Sequence, residues 1–408
     1  CDQGGECDLQ DQSLNFGSDS SRFYIKKRGV EDKNLGPIVK TVMTRCIHCT
    51  RCVRFVTEVA GVPDLGTTGR GKKTEIGTYI SKVVQTELSG NVVDLCPVGA
   101  LTSKPYAFKA RPWELKSTDS IDILDSLGSN IVINNKGNNI VRVLPRLNEN
   151  LNEEWITDKA RYSFDGVKRQ RLNSPLLKVN GSFIEVTWED AFNKILSLVK
   201  KNPSVISFLL GQLNDLETIS QVQKFQNSFK ISVNVFTEKK LDSVNSNYDS
   251  ISTFQASDMD FDTLKPDLIL LVCSDIKSNL PLLNVKLRNY VLQTGCKVGI
   301  IGRVGEVNFP YTYLGLDESA FFSIVEGTHY FTQDLINSSN PLVLVGEDCL
   351  SNDLNCVQNI LSNINSSVIF NVLNSQIAFS GLYDNGISPV SYINELTSSN
   401  ILFRLGDS

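Results

Sequence analysis

Arg45-Cys46-Ile47-His48-Cys49-Thr50-Arg51-Cys52, followed after 43 intervening residues by Cys96-Pro97, decides how the N-terminal part of the chain must fold. The spacing C-x2-C-x2-C sets three thiolates on one tight loop, where each can meet a different iron of a small cube. A fourth thiolate from a distant segment then closes the site, which is the ligand logic of a [4Fe–4S] cluster. In the tandem ferredoxin pattern the fourth Cys-Pro comes only about four residues after the third cysteine. Here Val53, Arg54, Phe55 and Val56 follow instead, so Cys96 is the expected fourth ligand of the same cluster. A structural zinc site, core thiols and disulfides are the alternatives. Zinc usually draws on two separate C-x2-C knuckles, and three sulfurs on one loop suit it poorly.

The first seven residues, Cys1-Asp2-Gln3-Gly4-Gly5-Glu6-Cys7, place two more thiols around paired glycines. Gly4 and Gly5 can adopt positive φ and bring backbone N–H groups close to an anionic sulfur cage. Two cysteines cannot hold a cubane, and a glycine turn with two incidental thiols reads equally well.

Outward from these motifs, residues 1–115 are loop-rich and glycine-punctuated, with short helices expected near Cys52 and near Gly99. Small cluster domains have this character because the inorganic core substitutes for apolar burial. Residues 116–172 read as a small β-rich connection, with strands at 129–133 and 139–144 around the turn Asn135-Lys136-Gly137-Asn138. From residue 173 to 408 strands alternate with helices. A hairpin at 177–186 turns on Asn180-Gly181, and Thr187 with Asp190 suggests a capping box for a helix over 188–201. Apolar strands are expected at 205–210, 232–236, 268–273, 297–301, 342–345, 368–372 and 401–405, with amphipathic helices such as 282–292 between them. That alternation predicts a doubly wound α/β domain with a parallel sheet.

Composition sets limits on function. The chain has 408 residues, 41% of them hydrophobic, enough for two or three cored domains. No run of 18 apolar residues occurs, and a net charge of −5 without a basic block argues against nucleic acid. Ten cysteines are too sparse for a disulfide scaffold, and thiolate ligands imply a reducing compartment. Cys273, Cys296, Cys349 and Cys356 are expected to be spectator thiols. No G-x-G-x-x-G follows a strand, and Gly302-Arg303-Val304-Gly305 reads as a plain turn.

The stretches CDQGGECDLQDQS, GPIVKTVMTRCIHCTRCVRF, GVPDLGTTGRG, ELSGNVVDLCPVGALTSKPYAFKARPWE and NEEWITDKARYSFDGVKRQRL together resemble the 75 kDa iron–sulfur subunit family of respiratory NADH:ubiquinone oxidoreductase (complex I). The resemblance is nearly continuous over residues 1–172 and weaker beyond. It implies a small loop-rich iron–sulfur domain followed by a molybdopterin-oxidoreductase-like doubly wound α/β domain. It also implies that Cys1 and Cys7 are the last two cysteines of an H-x3-C-x2-C-x5-C site for a second [4Fe–4S] cluster. The histidine and first cysteine of that site would precede residue 1. His48 and His329, the chain's two histidines, match neither position. The family's N-terminal [2Fe–2S] domain and a C-terminal part are also missing, so a split or incompletely known subunit is expected.

The function so implied is electron relay. Electrons from NADH would arrive through a flavin on another subunit and pass through the clusters toward ubiquinone, on the matrix side of the mitochondrial inner membrane. The partners implied are the other peripheral-arm subunits, among them the flavin subunit and an N-terminal fragment completing the Cys1/Cys7 site. Related molybdopterin enzymes carry a cysteine motif for a further cluster near residues 115–165, where this chain has no cysteine. No molybdopterin is expected in the α/β domain, which would be a docking scaffold. Arg45, Arg51 and Arg54 would raise the cluster potential or else pair with neighbours, and His48 would report pH or merely pack. The alternative is the electron-input iron–sulfur segment of a molybdopterin- or hydrogenase-type oxidoreductase, and a zinc-stabilised interaction module is a third option.

Overall fold

The computed structural model describes residues 1–24, 29–78, 82–201, 206–211, 213–229, 233–237, 259–305, 307–346, 361, 363–374 and 401–406. Near the N-terminus the elements are short. α1 (Asp8–Phe16) buries none of its residues, and β1 (Val39–Thr41) leads into the cysteine loop and α2 (Arg51–Arg54). β2 (Gly66–Thr68) pairs antiparallel with β3 (Glu75–Gly77). α3 (Asn91–Leu95) then ends at Cys96, and β4 (Leu101–Ser103) returns antiparallel to β1. The helix expected near Gly99 therefore precedes Cys96. Pro97 lacks the N–H to continue it, and Gly99, at φ +64°, turns the chain back into β4. Phe55, Val56, Leu88, Val92 and Leu101 pack with Cys52 and Cys96 in one apolar core.

The connecting region is a three-stranded antiparallel sheet of β5 (Lys116–Ile121), β6 (Asn130–Lys136) and β7 (Asn139–Pro145). The β6–β7 hairpin turns at Gly137, φ +60°, as its sequence predicts. β5 carries no apolar alternation and is almost wholly exposed on both faces, so no burial pattern announces it. α4 (Asp158–Tyr162) packs on β7 through Ala160, which joins Ile131 and Val143 in a separate small core. β8 (Leu176–Val179) and β9 (Ser182–Glu185) form the expected hairpin, with Asn180 and Gly181 both at positive φ. α5 (Trp188–Lys201) begins at Thr187, whose hydroxyl accepts the Asp190 N–H at 3.2 Å and donates to the Asp190 carboxylate at 2.7 Å.

The α/β domain continues through β10 (Ile206–Leu210), α6 (Leu216–Phe229), β11 (Val233–Thr237), α7 (Phe261–Leu264), β12 (Leu268–Val272), α8 (Ile276–Asn279) and α9 (Pro281–Thr294). β13 (Lys297–Ile301), β14 (Thr312–Gly315), α10 (Glu318–Val325), α11 (Phe331–Asn337), β15 (Pro341–Gly346), β16 (Ile369–Leu373) and β17 (Ile401–Leu405) complete it. Five strands pair in the order β14-β13-β12-β15-β16, all parallel. The chain winds outward from β12 in one direction and then in the other, which is the doubly wound pattern. A second parallel sheet, β11-β10-β17, shares a core with the first through Phe208, Leu210, Leu270 and Val343. β12 and β15 are buried along their full length, as expected for strands covered on both faces.

The two halves of the chain are joined. Leu282 and Val285 of α9 enter the core around Cys52 and Cys96. Arg288 donates to the carbonyls of Thr57 and Glu58, and the Asn308 amide donates to Ala60 O at 2.6 Å. Cys273 is a correction to the expectation of four spectator thiols, because it is disulfide-bonded. Cys349, Cys356 and the short helix expected between them lie outside the described residues.

Candidate metal centre

The cysteine loop gets its shape from its backbone. A 3-10 turn at Met43–Arg45 delivers Cys46, and His48 (φ +53°) and Thr50 (φ +63°) then take left-handed conformations on either side of Cys49. Such residues cost of order 1–3 kcal/mol each and persist only where their surroundings impose them. The loop is closed by Cys46 N–H to Met43 O at 3.0 Å and Arg54 N–H to Thr50 O at 2.9 Å.

The structure brings the four predicted ligands together. Cys46, Cys49, Cys52 and Cys96 line one hollow whose other walls are apolar, among them Leu35, Leu65, Ile76 and Val98. Cys52 and Cys96 are buried, Cys46 is half-buried, and Cys49 sits exposed at the rim. Burial, followed by the proximity of Cys96, Cys46 and Cys49, pushes the Cys52 thiol up to about 12. Two backbone donors oppose that accumulation of sulfur: Val53 N–H to Cys52, and Leu101 N–H to Cys96 Sγ at 3.4 Å. A cationic inorganic core suits such a set of thiols, and binding one would release their protons.

Among the described residues no three His, Cys, Asp or Glu side chains converge on a point where a single metal ion could sit. A tetrahedral zinc site with Zn–S near 2.3 Å needs its sulfurs about 3.8 Å apart.

Cys1 and Cys7 lie on the other side of the Cys96–Gly99 turn. Cys7 Sγ approaches Pro97 O at 3.6 Å, and the Gln3 amide donates to Cys96 O at 3.0 Å. A Cβ on Gly99 would sit 2.8 Å from Gln3 Cβ and 3.1 Å from Cys1 Sγ, so only glycine admits this close approach. The segment is anchored by groups that its own sequence does not announce. Arg111 Nη1 donates to Cys1 O at 2.9 Å and to Gly4 O at 3.2 Å, and Asp2 Oδ1 accepts the Phe108 N–H at 2.7 Å. Glu6 accepts two hydrogen bonds from the Arg142 guanidinium, at 2.8 and 3.0 Å. A loose glycine turn would carry no such set of anchors. Contacts between residues far apart in sequence have no spacing signature, which is why Arg111, bound to two carbonyls, and Arg142, paired with Glu6, escape a reading of the sequence.

The remaining candidates separate. Arg45 Nη1 donates to Gly99 O at 3.3 Å and so ties the cysteine loop to the turn. Arg54 pairs with Glu58 on the surface, while Arg51 reaches the hollow's wall. His329 is structural: its Nδ1 accepts the Phe331 N–H at 3.2 Å and its ring lies against Tyr330.

Three family models match the chain. One, described as molybdopterin oxidoreductase, covers residues 171–384, more than half of the chain. A second, the NADH-quinone oxidoreductase subunit 3 ferredoxin-like domain, covers 36–102 and so contains Cys46, Cys49, Cys52 and Cys96. The third, the NADH-ubiquinone oxidoreductase NDSU1/NuoG-like 4Fe-4S domain, covers 115–165. That last stretch has no cysteine, so its residues do not fit an iron–sulfur cluster.

Among curated proteins, the NADH-ubiquinone oxidoreductase 75 kDa subunit of Reclinomonas americana is 47% identical, over 98% of this chain and 61% of its own length. The mitochondrial NADH dehydrogenase [ubiquinone] iron-sulfur protein 1 of Solanum tuberosum is 48% identical, over 86% of this chain and 48% of its own length. The mitochondrial NADH-ubiquinone oxidoreductase 78 kDa subunit of Neurospora crassa is 45% identical, over 85% and 47%. The chain thus spans about half to three-fifths of the length of the curated relatives it matches.

Proposed function

Because the chain belongs to the molybdopterin oxidoreductase family and is homologous to the 75 kDa subunit of NADH-ubiquinone oxidoreductase, we propose that it relays electrons inside that complex. The observation that carries the reading is the four-thiol hollow at Cys46, Cys49, Cys52 and Cys96, with a second thiol pair, Cys1 and Cys7, across one turn from it. A [4Fe–4S] cluster bound in the hollow supplies one-electron chemistry, with no bond made or broken in a substrate. Cys52 and Cys96 hold the buried side of that site and Cys49 its rim. The apolar walls exclude water, which disfavours the reduced, more anionic state, and the N–H groups of Val53 and Leu101 partly neutralise the sulfurs, which favours it.

Cys1 and Cys7 hold half of a neighbouring site, and the residues that complete it belong to a segment preceding Cys1 or to a partner chain. The unit boundaries that match this division are 1–115, 116–172 and 173–408. The α/β unit acts as a scaffold without molybdopterin, docking other peripheral-arm subunits. Electrons from NADH arrive through a flavin on another subunit and pass through the clusters toward ubiquinone. No helix of the described residues is long and apolar enough to cross a membrane. We place the chain in the peripheral arm on the matrix side.

The test is iron and zinc per chain on protein purified without oxygen and without partners, with electron paramagnetic resonance of the reduced sample. About four irons, a spectrum of one reduced [4Fe–4S] centre, and loss of both in Cys96→Ser support the reading. Stoichiometric zinc without iron overturns it.

A further inference from the structure

The loop between β5 and β6 concentrates buried oxygen atoms that none of the described residues satisfies. The strands end with Ile121 opposite Asn130, and one step beyond them Asp122 N–H donates to Ser129 O at 2.8 Å. Inside the loop so closed, Asp122 Oδ1 accepts the Leu124 N–H at 3.0 Å and Asp125 Oδ1 accepts the Leu127 N–H at 3.1 Å. Each carboxylate thereby commits one oxygen to the loop backbone. The other oxygens, Asp122 Oδ2 and Asp125 Oδ2, have no partner, and neither have Ser126 Oγ and Ser129 Oγ. All four residues are buried, at 4%, 4%, 5% and 0% exposure.

Two buried carboxyls and two buried hydroxyls on one eight-residue loop are expensive unless something meets them. The two carboxyls feel each other, and burial is the main cause pushing Asp125 up to about 7. The positive charge of Lys159 acts on both, but its Nζ donates to Leu124 O at 3.3 Å and the side chain remains exposed. We propose that this loop is a binding site for a hard divalent cation, of the Mg2+ or Ca2+ class, held by Asp122, Asp125, Ser126 and Ser129. Two carboxylates balance two positive charges, and an all-oxygen set suits a hard ion and repels a thiophilic one. The loop lies within the stretch that matches a 4Fe-4S domain yet offers oxygen where such a domain needs sulfur. Its apex, Leu127, is 1% exposed and packs in the core that contains Cys52 and Cys96, so a filled loop braces the four-thiol hollow.

Mn2+ is the probe, because it shares the oxygen preference and its resonance signal reports the free ion. On the full chain stripped with a chelator, one Mn2+ per chain is expected to bind and to be displaced by Mg2+ or Ca2+. MgCl2 or CaCl2 should raise Tm saturably, relative to KCl of equal ionic strength. Asp122→Asn combined with Asp125→Asn should abolish both effects. Should that pair fail to fold, Ser129→Ala keeps both carboxylates and is expected to weaken Mn2+ binding several-fold. Absence of stoichiometric Mn2+ binding, or binding unchanged in the variants, overturns the site.

Discussion

Replacing Glu6 with alanine should loosen the Cys1–Cys7 segment without disturbing the four-thiol hollow. Glu6 is joined to Arg142 by two charge-assisted hydrogen bonds, and its side chain is about a third exposed at 34%. Such bonds contribute roughly 1.5–3 kcal/mol when partly buried, and exposure pulls the pair toward the lower end. We expect a local cost of about 2 kcal/mol, which is about a 30-fold increase in the fraction of time the segment is open. The remaining anchors, Asp2 to Phe108, Arg111 to Cys1 and Gly4, and Gln3 to Cys96, keep it from detaching. Arg142 retains Asn134 at 2.8 Å and the face of Tyr106, so β7 should hold its place. Cys7 is only 6% exposed, and its alkylation in the isolated chain should require opening. Its labelling rate, followed by peptide mass spectrometry, should rise about 30-fold by the estimate above. Cys1 is already exposed and serves as the reference, while Cys52 reports global unfolding. An unchanged Cys7 rate, or a rise shared equally by Cys52, refutes the argument.

Three further outcomes follow from the same geometry. Gly99→Ala places a methyl group against Gln3 and Cys1 at a left-handed position, and should expose Cys7 to alkylation even more than Glu6→Ala does. Asp158→Ala removes the carboxylate that accepts Ser89 N–H, Ser89 O–H and Gly90 N–H at 3.0, 2.7 and 2.6 Å just ahead of α3. It should destabilise the chain by about 2–3 kcal/mol in denaturant melts and lower iron retention, because α3 positions Cys96. Arg161→Met breaks the pair of the buried Arg161 with Asp94 at 2.6 Å and strips Asn91 of a donor, with a similar expected loss of stability in denaturant melts.

The strands of the α/β domain are legible because burial on both faces writes a continuous apolar run, as in Leu268–Val272 and Lys297–Ile301. The Asn180-Gly181 hairpin and α5 are legible for local reasons, a positive-φ pair and a hydroxyl cap. β5 is not, since a strand of Lys, Ser, Thr and Asp is held by its ladder to β6 alone. β14 is similarly hidden, with exposed residues beside β13 and a shift of register. At the site, the spacing of Cys46, Cys49, Cys52 and Cys96 names residues that the structure gathers. The Asp122–Ser129 loop carried no such signal, because acidic residues and serines ordinarily mark solvent, and only their burial makes them notable.

The turn from Cys96 to Gly99 is a party wall. Cys96 and Pro97 line the four-thiol hollow, while the Pro97 carbonyl meets Cys7 Sγ and Gly99 packs against Gln3 and Cys1 on the other side. Three peptide steps at their fullest extension reach only about 11 Å. The wall between the hollow and the Cys1–Cys7 pair is therefore one short covalent segment, while the pair's own seat against it rests on the Asp2, Glu6 and Arg111 anchors.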